Sequence, residues 1–355
     1  SVSPYDYSLT GPGGVRHQTF ATRTLSVQQR LPRNVVVELA YFRNRTDVEA
    51  NGMALAGTNL RADPNLTIPR PDGAAGSVPN PYAGQLYFES LWFKDWLVTD
   101  NEIYRISAAW DVGKSNRWYG RHRIAALAED STQDRLRRWR DEILVDQNNV
   151  PITNPANAEG AQNQLTRRNY VTAGDYRTYY GSDPSIPVGE FTWNGRQYHT
   201  TYASRARANT QTIKEITSLM FASQSFWFKD RLITTVGARQ DDIKFRNAQE
   251  ARVLDANDPR VKSGLLSAGE WYFNGEYVNH RYKPTTFTAG AVLHATKRLS
   301  FFYNLSRNNG QPRFDRTVLP NGDVPEPTEG RGRDMGIMLD VLGDDRLFIR
   351  TTWFE

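Results

Sequence analysis

Apolar and polar residues alternate along much of this chain with a period of two. In residues 299–306 nearly every second residue is apolar, and the residues between them are mostly polar. Because successive side chains of a β-strand point to opposite faces, this pattern predicts strands with one apolar and one largely polar face. Many of these stretches run for about ten residues, which is long for soluble strands and suits a tilted strand that crosses a membrane. The same alternation recurs in three further segments: 104–111, 231–241 and 334–341.

Short and long connections alternate strictly between the predicted strands. Antiparallel membrane barrels have short periplasmic turns at one end and longer extracellular loops at the other, so this order favours such a barrel. The short turns are 31–34, 226–230, 295–298 and 342–345, and the long polar segments are 49–84, 130–210, 246–282 and 309–329.

The secondary structure of residues 85–111 determines at which end of the sheet each connection lies. They could form a hairpin that turns near Thr99–Asn101, or one very long strand. Only the single strand leaves 130–210 on the same side as the other long segments, with Val112–Tyr119 as the opposite turn. We therefore predict an all-β chain, a portion of an antiparallel, up-and-down transmembrane β-barrel with about ten strands, short periplasmic turns and long extracellular loops.

The composition fits a barrel better than a soluble domain. The 355 residues are 39% hydrophobic and 12% aromatic, with a mean hydropathy of -0.64. The apolar share is low for a soluble domain, whereas the aromatic share is too high for a disordered chain. No uninterrupted apolar run reaches about 18 residues, so a helical membrane span is excluded. A barrel that places apolar residues outward in alternation needs no large apolar interior.

Aromatic residues cluster beside two of the short turns. A ring with an apolar body and a polar tip suits the headgroup level of a membrane, which favours an interfacial girdle. The alternative is ordinary strand propensity, since aromatic residues are enriched in any sheet. The residues concerned are Trp110, Trp118 and Tyr119 at one turn and Phe226, Trp227 and Phe228 at the other.

Neither the charge nor the reactive side chains indicate a catalytic or nucleic-acid function. The net charge is +5, but basic residues are spread along the chain among 39 acidic ones, so no nucleic-acid partner is expected. Cysteine is absent, and with it any disulfide framework or thiolate metal site. The five histidines have no metal-ligand spacing, and the sequence contains no nucleophile elbow or phosphate-binding loop. We expect no enzymatic activity, no cofactor and no metal.

The strand pairs themselves resemble those of a known family. Residues 224–242 contain an Asp-Arg-Leu turn followed by Gly237, Arg239 and Asp241 at alternate positions. This hairpin is similar to that of the TonB-dependent outer-membrane receptors, in which a strand ends at such a turn and the next strand carries Gly-x-Arg-x-Asp. The later barrel of that family is similar to four further segments: 299–306, 311–312, 319–325 and 329–337.

The chain also departs from that family. Its receptors have a plug domain inside a barrel of about 22 strands, whereas this sequence shows about ten strands and no plug-like segment ahead of them. The last residue is Glu355 and not the terminal aromatic residue typical of outer-membrane barrels. We therefore expect residues 1–355 to be part of one TonB-dependent-receptor-like β-barrel domain, with the plug domain and the signal peptide outside this chain.

The resemblance implies energised uptake of a scarce ligand, such as a ferric siderophore, across the outer membrane of a Gram-negative bacterium. The implied partners are TonB, acting through the missing plug, the lipid of the outer membrane, and a small-molecule ligand such as a siderophore or a glycan. The ligand would meet the external loops and the inward-facing wall. The candidate residues are Tyr176, Tyr179, Tyr180, Trp193, Arg196 and Tyr198 in the longest loop and Gln224, Arg239 and Asp241 on the wall.

Each candidate group has an alternative interpretation. Arginine beside aromatic residues can hold an anionic, aromatic or sugar-like ligand through forked hydrogen bonds and ring stacking. The loop residues could instead form a solvated, partly self-packed loop, and the wall residues could equally pair with the missing plug. Other functions stay open as well: a passive outer-membrane porin, a soluble β-rich binding module, or a barrel enzyme, for which the sequence offers no catalytic constellation.

Overall fold

The structure is a computed structural model, and it describes residues 10–55, 60–116, 120–148, 150, 152, 164–180, 189–193, 195–204, 208–253, 255, 257–266, 269–310, 328–343 and 346–355. Most of these residues form antiparallel strands. They are β1 (Val15–Leu31), β2 (Val35–Leu55), β3 (Arg61–Ala62), β4 (Thr67–Pro69), β5 (Ser77–Pro79), β6 (Leu86–Asn116), β7 (Gly120–Asp146), β8 (Thr166–Tyr170), β9 (Phe191–Trp193), β10 (Arg196–Ala203), β11 (Thr210–Trp227), β12 (Leu232–Arg252), β13 (Trp271–Tyr282), β14 (Thr285–His294), β15 (Leu299–Asn309), β16 (Glu329–Asp340) and β17 (Phe348–Phe354).

Helical structure is confined to short pieces within the described ranges. They are α1 (Pro259–Lys262) and the 3-10 turns Gly11–Gly13, Pro32–Asn34 and Tyr176–Tyr179. Over the same ranges, the chain contains no helix with the length and apolar character needed to span a bilayer.

Ten long strands make one antiparallel sheet. Among the residues that the structure describes, their order is β1-β2-β6-β7-β11-β12-β14-β15-β16-β17, so each strand pairs with the next long strand along the chain. This order confirms the predicted all-β, antiparallel, up-and-down arrangement and the predicted number of about ten strands. The strands β3, β8, β9, β10 and β13 lie off this path and widen the sheet at the ends of the strands with which they pair, and β4 pairs with β5 separately.

Strand β6 is continuous, as the alternation of connections predicts. Its register with β2 runs without a break from Val35 opposite Trp110 to Leu55 opposite Ser90. A hairpin at Thr99–Asn101 is thereby ruled out, since those residues pair within the middle of the strand. The long connections therefore lie together at one end of the sheet.

The strands run further towards the long connections than the alternation predicts. β7 continues to Asp146 and β12 to Arg252, so the predicted starts of the long segments at 130 and 246 are wrong. Pairing with β6, β10 and β13 holds these extensions. Backbone hydrogen bonds between strands do not require apolar side chains, and polar residues can therefore continue a strand beyond its apolar part. In the predicted segment 309–329, residues 311–327 lie outside the described ranges.

The short connections at the other end are tight. Residues Arg33 and Asn34 between β1 and β2, and residues 228–230 between β11 and β12, have φ angles of 54 to 66°. This left-handed backbone reverses the chain within a few residues and fixes the register of the strands on either side. The predicted turn 112–119 lies partly outside the described ranges, because these omit residues 117–119.

One face of the sheet is apolar and exposed over the half that adjoins the short turns. Directly opposed residues of neighbouring strands share a face, and the registers bring the apolar positions of all ten long strands to the same side. We call this surface the apolar band. It includes Leu25, Val27, Leu39, Tyr104, Ile106, Trp110, Leu219, Phe221, Val236, Phe287, Leu293, Phe301, Tyr303, Met335, Ile337, Leu339, Ile349 and Trp353, all of them exposed. So large an exposed apolar surface is typical of contact with lipid.

Two of the aromatic residues predicted for a girdle lie on this face near the short turns. The Trp110 indole nitrogen donates a hydrogen bond to the carbonyl of Arg33 at 3.1 Å. The Trp227 indole nitrogen donates to Thr234 Oγ1 at 3.0 Å, and its ring meets the edge of His122. The polar tips are thus satisfied within the turn region, while Trp118 and Tyr119 lie outside the described ranges.

The outer strands β1 and β17 are the edges of the sheet. Within the described ranges β1 pairs with β2 alone and β17 with β16 alone, and every residue of both strands is exposed. The buried apolar residues lie instead near the long connections, where Trp92, Ile143 and Val145 are at most 1% exposed.

Candidate functional site

The face opposite the apolar band, which we call the inner face, carries the three predicted wall residues. Arg239 and Asp241 follow Ala238 of the apolar band at odd positions of β12, and their side chains therefore point to the other side. Gln224 of β11 lies opposite Arg123 and Thr235 on the same inner face. The structure thus places all three on one face, and their role in ligand binding stays a prediction.

Arg239 and Asp241 belong to a compact polar cluster. The Arg239 Nε donates a hydrogen bond to Asp241 Oδ1 at 2.8 Å, and its Nη2 donates to Ser218 Oγ at 2.9 Å. Ser218 is fully buried and donates to the same Asp241 oxygen at 2.5 Å. The Glu129 carboxylate lies 3.8 Å from the guanidinium on its other side. Arg239 is therefore held in one orientation by two strands and remains about one third exposed.

The polar cluster continues across the sheet towards β1. Arg105 of β6 lies directly opposite Glu129, and its guanidinium is 3.6 Å from the carboxylate of Glu38. Glu38 in turn accepts a hydrogen bond from Ser26 Oγ at 3.3 Å. The row thus crosses six neighbouring strands, with charged groups on β12, β7, β6 and β2 and serine hydroxyls on β11 and β1. A charged group in such a row can replace its partner within the row by a polar group of a ligand or of another protein surface. No charge is then left unpaired.

The first half of the predicted loop group is part of a small apolar core. Tyr179 is 3% exposed and packs with Phe88 and Val171, and Tyr176 lies against the same cluster. The 3-10 turn that carries both tyrosines begins at Asp175, whose side chain accepts a hydrogen bond from the backbone of Arg177. Tyr179 therefore stabilises the loop in this structure and offers little surface to a ligand.

The rest of the loop group is more open. Tyr180 packs against the backbone of Gly11, where a Cβ would lie 2.9 Å from its ring. Arg196 is exposed on β10, and Tyr198 stacks with Phe191 at 5.7 Å between ring centroids. The side chain of Trp193 lies outside the described part of the chain.

The predicted loop and wall residues do not form a single site. Tyr198 pairs with Asp146 of β7, whereas Gln224 pairs with Arg123 of the same strand. At about 3.3 Å per residue, these levels are roughly 75 Å apart along the strand. The structure therefore separates an outer group near the long connections from an inner-wall group near the short turns.

An aromatic and arginine cluster on the inner face was missed by sequence reasoning. Phe93 and Trp139 stack with centroids 3.9 Å apart, and the Arg137 guanidinium lies 4.7 Å from the Trp139 ring centroid. Arg137 also donates two hydrogen bonds to Asp95, at 2.8 and 2.9 Å. Gly52 provides the space for the Phe93 ring, because a Cβ there would lie 2.1 Å from its Cζ. Alternation over 135–139 is the signal that could indicate these residues, but the order of connections predicts a loop there.

A second aromatic cluster lies further out on the same face. Tyr82 stacks on Tyr170 at 4.3 Å between centroids, and Tyr87 meets Tyr170 edge-on. The Arg168 guanidinium lies 4.0 Å from the Tyr87 ring centroid and donates to Glu89 at 2.9 Å. Tyr82 is 45% exposed, which leaves ring surface open to solvent. The two clusters offer stacking surfaces and forked hydrogen bonds, which suit an aromatic or sugar-like ligand.

Asp63 holds the second aromatic cluster in place. Its carboxylate accepts hydrogen bonds from the Tyr170 hydroxyl, from Asn80 at 3.1 Å and from Arg168 at 3.2 Å. The Tyr170 hydrogen bond, together with that of the Asn65 backbone, keeps the pKa of Asp63 well below its usual range. Burial, followed by the Asp63 hydrogen bond, raises the pKa of Tyr170 above its usual value. In the described ranges, no group of three or more acidic or histidine side chains is arranged to hold a metal ion.

Comparisons with known proteins bear on the fold. No protein-family model matches the chain, and no curated protein matches it. The chain is similar to the closed form of the ferric-catecholate import receptor Fiu from E. coli K12, with a TM-score of 0.59 and 12% identity over 98% of this chain and 41% of that one. For the open form of Fiu the TM-score is 0.56 and the identity is 12%, over 98% of this chain and 42% of that one. For the ferric preacinetobactin receptor BauA from Acinetobacter baumannii the TM-score is 0.49 and the identity is 11%, over 96% of this chain and 37% of that one.

The likeness to Fiu extends along nearly the whole of this chain but along only about two fifths of the Fiu chain. At 12% identity it establishes the fold and not the ligand. Fiu is an import receptor and not an enzyme, in agreement with the expectation from the sequence. The resemblance of the strand pairs is thereby confirmed at the level of fold: this chain has the fold of part of a TonB-dependent receptor barrel.

Proposed function

We propose that this chain is part of the barrel wall of a TonB-dependent transporter in the outer membrane of a Gram-negative bacterium. The observation that carries the proposal is the likeness of fold to the import receptor Fiu over 98% of the chain. The exposed apolar band supports a membrane location, because in water such a surface would drive aggregation. On this proposal residues 1–355 are one stretch of a longer receptor that also has a plug domain and a signal peptide.

The ligand enters from the side of the long connections. There the inner face carries the Phe93–Trp139 stack and the exposed ring of Tyr82, each beside an arginine that is held by carboxylates. A ferric siderophore with aromatic groups, or a glycan, would stack on these rings and form hydrogen bonds with the charged groups beside them. The predicted residues Arg196 and Tyr198 lie at the same end of the sheet and belong to this outer contact region.

The row around Arg239 lines the path that the ligand takes afterwards, or contacts the plug. Its charged groups alternate in sign and remain partly exposed, as a surface that faces a polar partner requires. TonB acts on the plug and not on this wall, so the wall needs no group that performs chemistry. A passive porin remains the competing function, since its inner face is polar as well.

Uptake measured in cells separates these two functions. The complete protein would be produced in an iron-starved strain that lacks its own ferric-catecholate receptors, and entry of ⁵⁵Fe bound as the tris-catecholate complex would be followed with and without TonB. We expect uptake that requires both TonB and the proton gradient. Equal uptake without TonB would identify a passive channel, and uptake of a labelled oligosaccharide instead of the ferric complex would change the ligand class.

A matched pair of variants tests the outer contact region. Tyr82→Ala removes an exposed ring on the inner face, whereas Tyr104→Ala removes a similarly exposed ring on the apolar band. Loss of one aromatic stacking contact weakens the binding free energy by about 1 kcal/mol, which is roughly a fivefold change in affinity. We expect Tyr82→Ala to raise the concentration of the ⁵⁵Fe complex that gives half-maximal uptake by this factor. Tyr104→Ala should leave that concentration unchanged. An equal effect of both variants, or of neither, would remove Tyr82 from the contact region.

A further inference from the structure

Basic residues line the outer edge of the apolar band on one side of the sheet. Phe287 of the apolar band lies opposite Arg307, which lies opposite Arg331, and Leu305 lies opposite Arg333, so these arginines point outward beside the apolar band. Lys244 and Arg281 oppose each other on the same face. We call the following six residues the basic belt: Lys244, Arg281, Lys283, Arg307, Arg331 and Arg333.

The carboxylates beside the basic belt are too few to neutralise it. Glu329 accepts from both Arg307 and Arg331, at 2.7 and 2.6 Å. Asp242 pairs with Arg281 and lies 3.5 Å from Lys283 Nζ, and Glu355 lies 3.5 Å from Arg333. Among the residues that the structure describes, three carboxylates thus face six basic groups.

The basic side chains remain accessible although most of them are paired. Those of Arg281, Lys283, Arg307, Arg331 and Arg333 are 53 to 78% exposed. The neighbouring Arg246 and Glu215 pair with each other at 2.9 Å, so together they add no net charge. Over the described residues, the basic belt therefore has an excess of three positive charges at this edge of the apolar band.

On the other side of the sheet, at the same level along the strands, carboxylates outnumber basic groups. Arg43 is paired with Asp100 at 2.8 Å, Arg45 is paired with Asp47 at 3.0 Å, and Arg23 lies opposite Arg43. Against these three arginines stand five carboxylates: Asp47, Asp100, Glu102, Asp130 and Asp134. Over the described ranges, an excess of positive charge at this edge is thus found on the strands β12 to β16 and not on β1 to β7.

We propose that the basic belt binds the phosphate groups of anionic lipid headgroups in the surrounding membrane. The apolar band places lipid chains directly below the belt, so that the headgroups of those lipids lie at the level of these arginines and lysines. Guanidinium groups form forked hydrogen bonds with phosphate oxygens, and excess positive charge favours anionic headgroups over zwitterionic ones. The occupant is a bilayer lipid and not free phosphate, because its chains lie on the adjoining apolar band.

This inference rests on the proposed membrane location and goes beyond it, since it assigns lipid selectivity to one side of the barrel. Anionic lipid held on β12 to β16 alone would orient the protein relative to its neighbours in the membrane. It would also anchor the strands between which the long outer connections extend.

Nanodiscs of mixed phosphatidylglycerol and phosphatidylcholine provide the test. The complete protein would be inserted, and native mass spectrometry would count the lipid molecules of each kind that remain bound on release. The belt variant combines Lys283→Gln, Arg307→Gln and Arg331→Gln. The matched control combines Arg23→Gln, Arg43→Gln and Arg45→Gln, which removes the same charge from the acidic side.

We expect the native protein and the control to retain more phosphatidylglycerol than the bulk bilayer contains, and the belt variant to retain only the bulk ratio. Added inorganic phosphate should leave the enrichment unchanged. Absence of enrichment in the native protein, its survival in the belt variant, or its displacement by inorganic phosphate would overturn the proposal. Insertion is followed separately by heat-modifiable gel migration, and a protein that does not insert at all would overturn the proposed membrane location as well.

Discussion

The apolar band and the outer ends of the same strands differ in whether their large apolar side chains are exposed or buried. In the apolar band, large apolar side chains are exposed, as in Leu219 at 62%, while the polar groups meet on the inner face. Near the long connections the arrangement is reversed. There Trp92 and Ile143 are buried, and so are the charged pair Glu142 and Arg167, at 1% and 7% exposure.

The proposed membrane location explains this difference. Lipid accepts apolar surface, so the apolar band needs no second layer, and its backbone groups are satisfied by neighbouring strands. The outer ends face water, and they must cover their own apolar residues with loops. We call these outer parts, namely the described residues within 60–98, 136–180, 189–211 and 248–280, the outer extension. Its loops are held down by buried polar contacts, and it should therefore respond to changes that leave the apolar band untouched.

Breaking the buried ion pair should have the largest effect. Glu142→Ala leaves the Arg167 guanidinium buried without the carboxylate that it binds at 2.5 and 2.8 Å, which costs about 3–5 kcal/mol of local stability. Amide hydrogen exchange should accelerate in the outer extension and stay unchanged in the apolar band.

An exposed ion pair is the control for that prediction. Arg70 and Asp72 are 42% and 54% exposed, so solvent screens the pair and Asp72→Ala should leave the stability nearly unchanged. Equal acceleration in both variants, or acceleration that spreads into the apolar band, would show that the two regions do not behave independently.

An arginine introduced into the apolar band should have the next largest effect. Leu219→Arg places a charge on the lipid face, which costs about 2–4 kcal/mol near the bilayer midplane. Leu66→Arg is the counterpart in the outer extension, where Leu66 is 79% exposed and the cost should stay within about 0.5 kcal/mol. The measured quantity is the fraction of protein that inserts into vesicles, read from heat-modifiable gel migration. Similar insertion of the two variants would contradict a lipid-facing band.

Acid should weaken the outer extension before it affects the apolar band. The folded pKa of Asp63 lies below its unfolded value of about 3.9, so its ionised form contributes stability above that pH. This contribution is lost as the pH falls towards the folded pKa. Protease cleavage within 60–85 should therefore rise between about pH 5 and pH 3. Asp63→Asn should be cleaved more readily at neutral pH and show a flatter pH dependence, and an unchanged profile would exclude Asp63 as the cause.

Much of the fold could be read from the sequence because alternation is a local property. The ten long strands and the unbroken β6 follow from residues that are neighbours in the chain, such as Tyr104, Ile106 and Trp110. The inward direction of Arg239 and Asp241 follows for the same reason. The ends of β7 and β12 could not be read in this way, because their polar residues are held by pairing with β10 and β13 and not by an apolar pattern.

The candidate site could be predicted only in part. The sequence placed Tyr179 among the candidate ligand residues of the longest loop, whereas in the structure it packs into a core with Phe88, which lies far from it in the chain. The exposed ring of Tyr82 and the Phe93–Trp139 stack come from different strands and loops. No spacing rule within a single segment indicates such contacts.

The sequence by itself determined the class of fold, the number of long strands, the end of the sheet at which the long connections lie, and the face to which each wall residue points. These depend on a period of two and on the order of connections, both of which are properties of the linear chain. Only the tertiary structure decided how far the strands extend, which side of the apolar band carries the basic belt, and which aromatic residues stack. These depend on register, which aligns residues far apart in the chain through backbone hydrogen bonds that every residue type except proline can make.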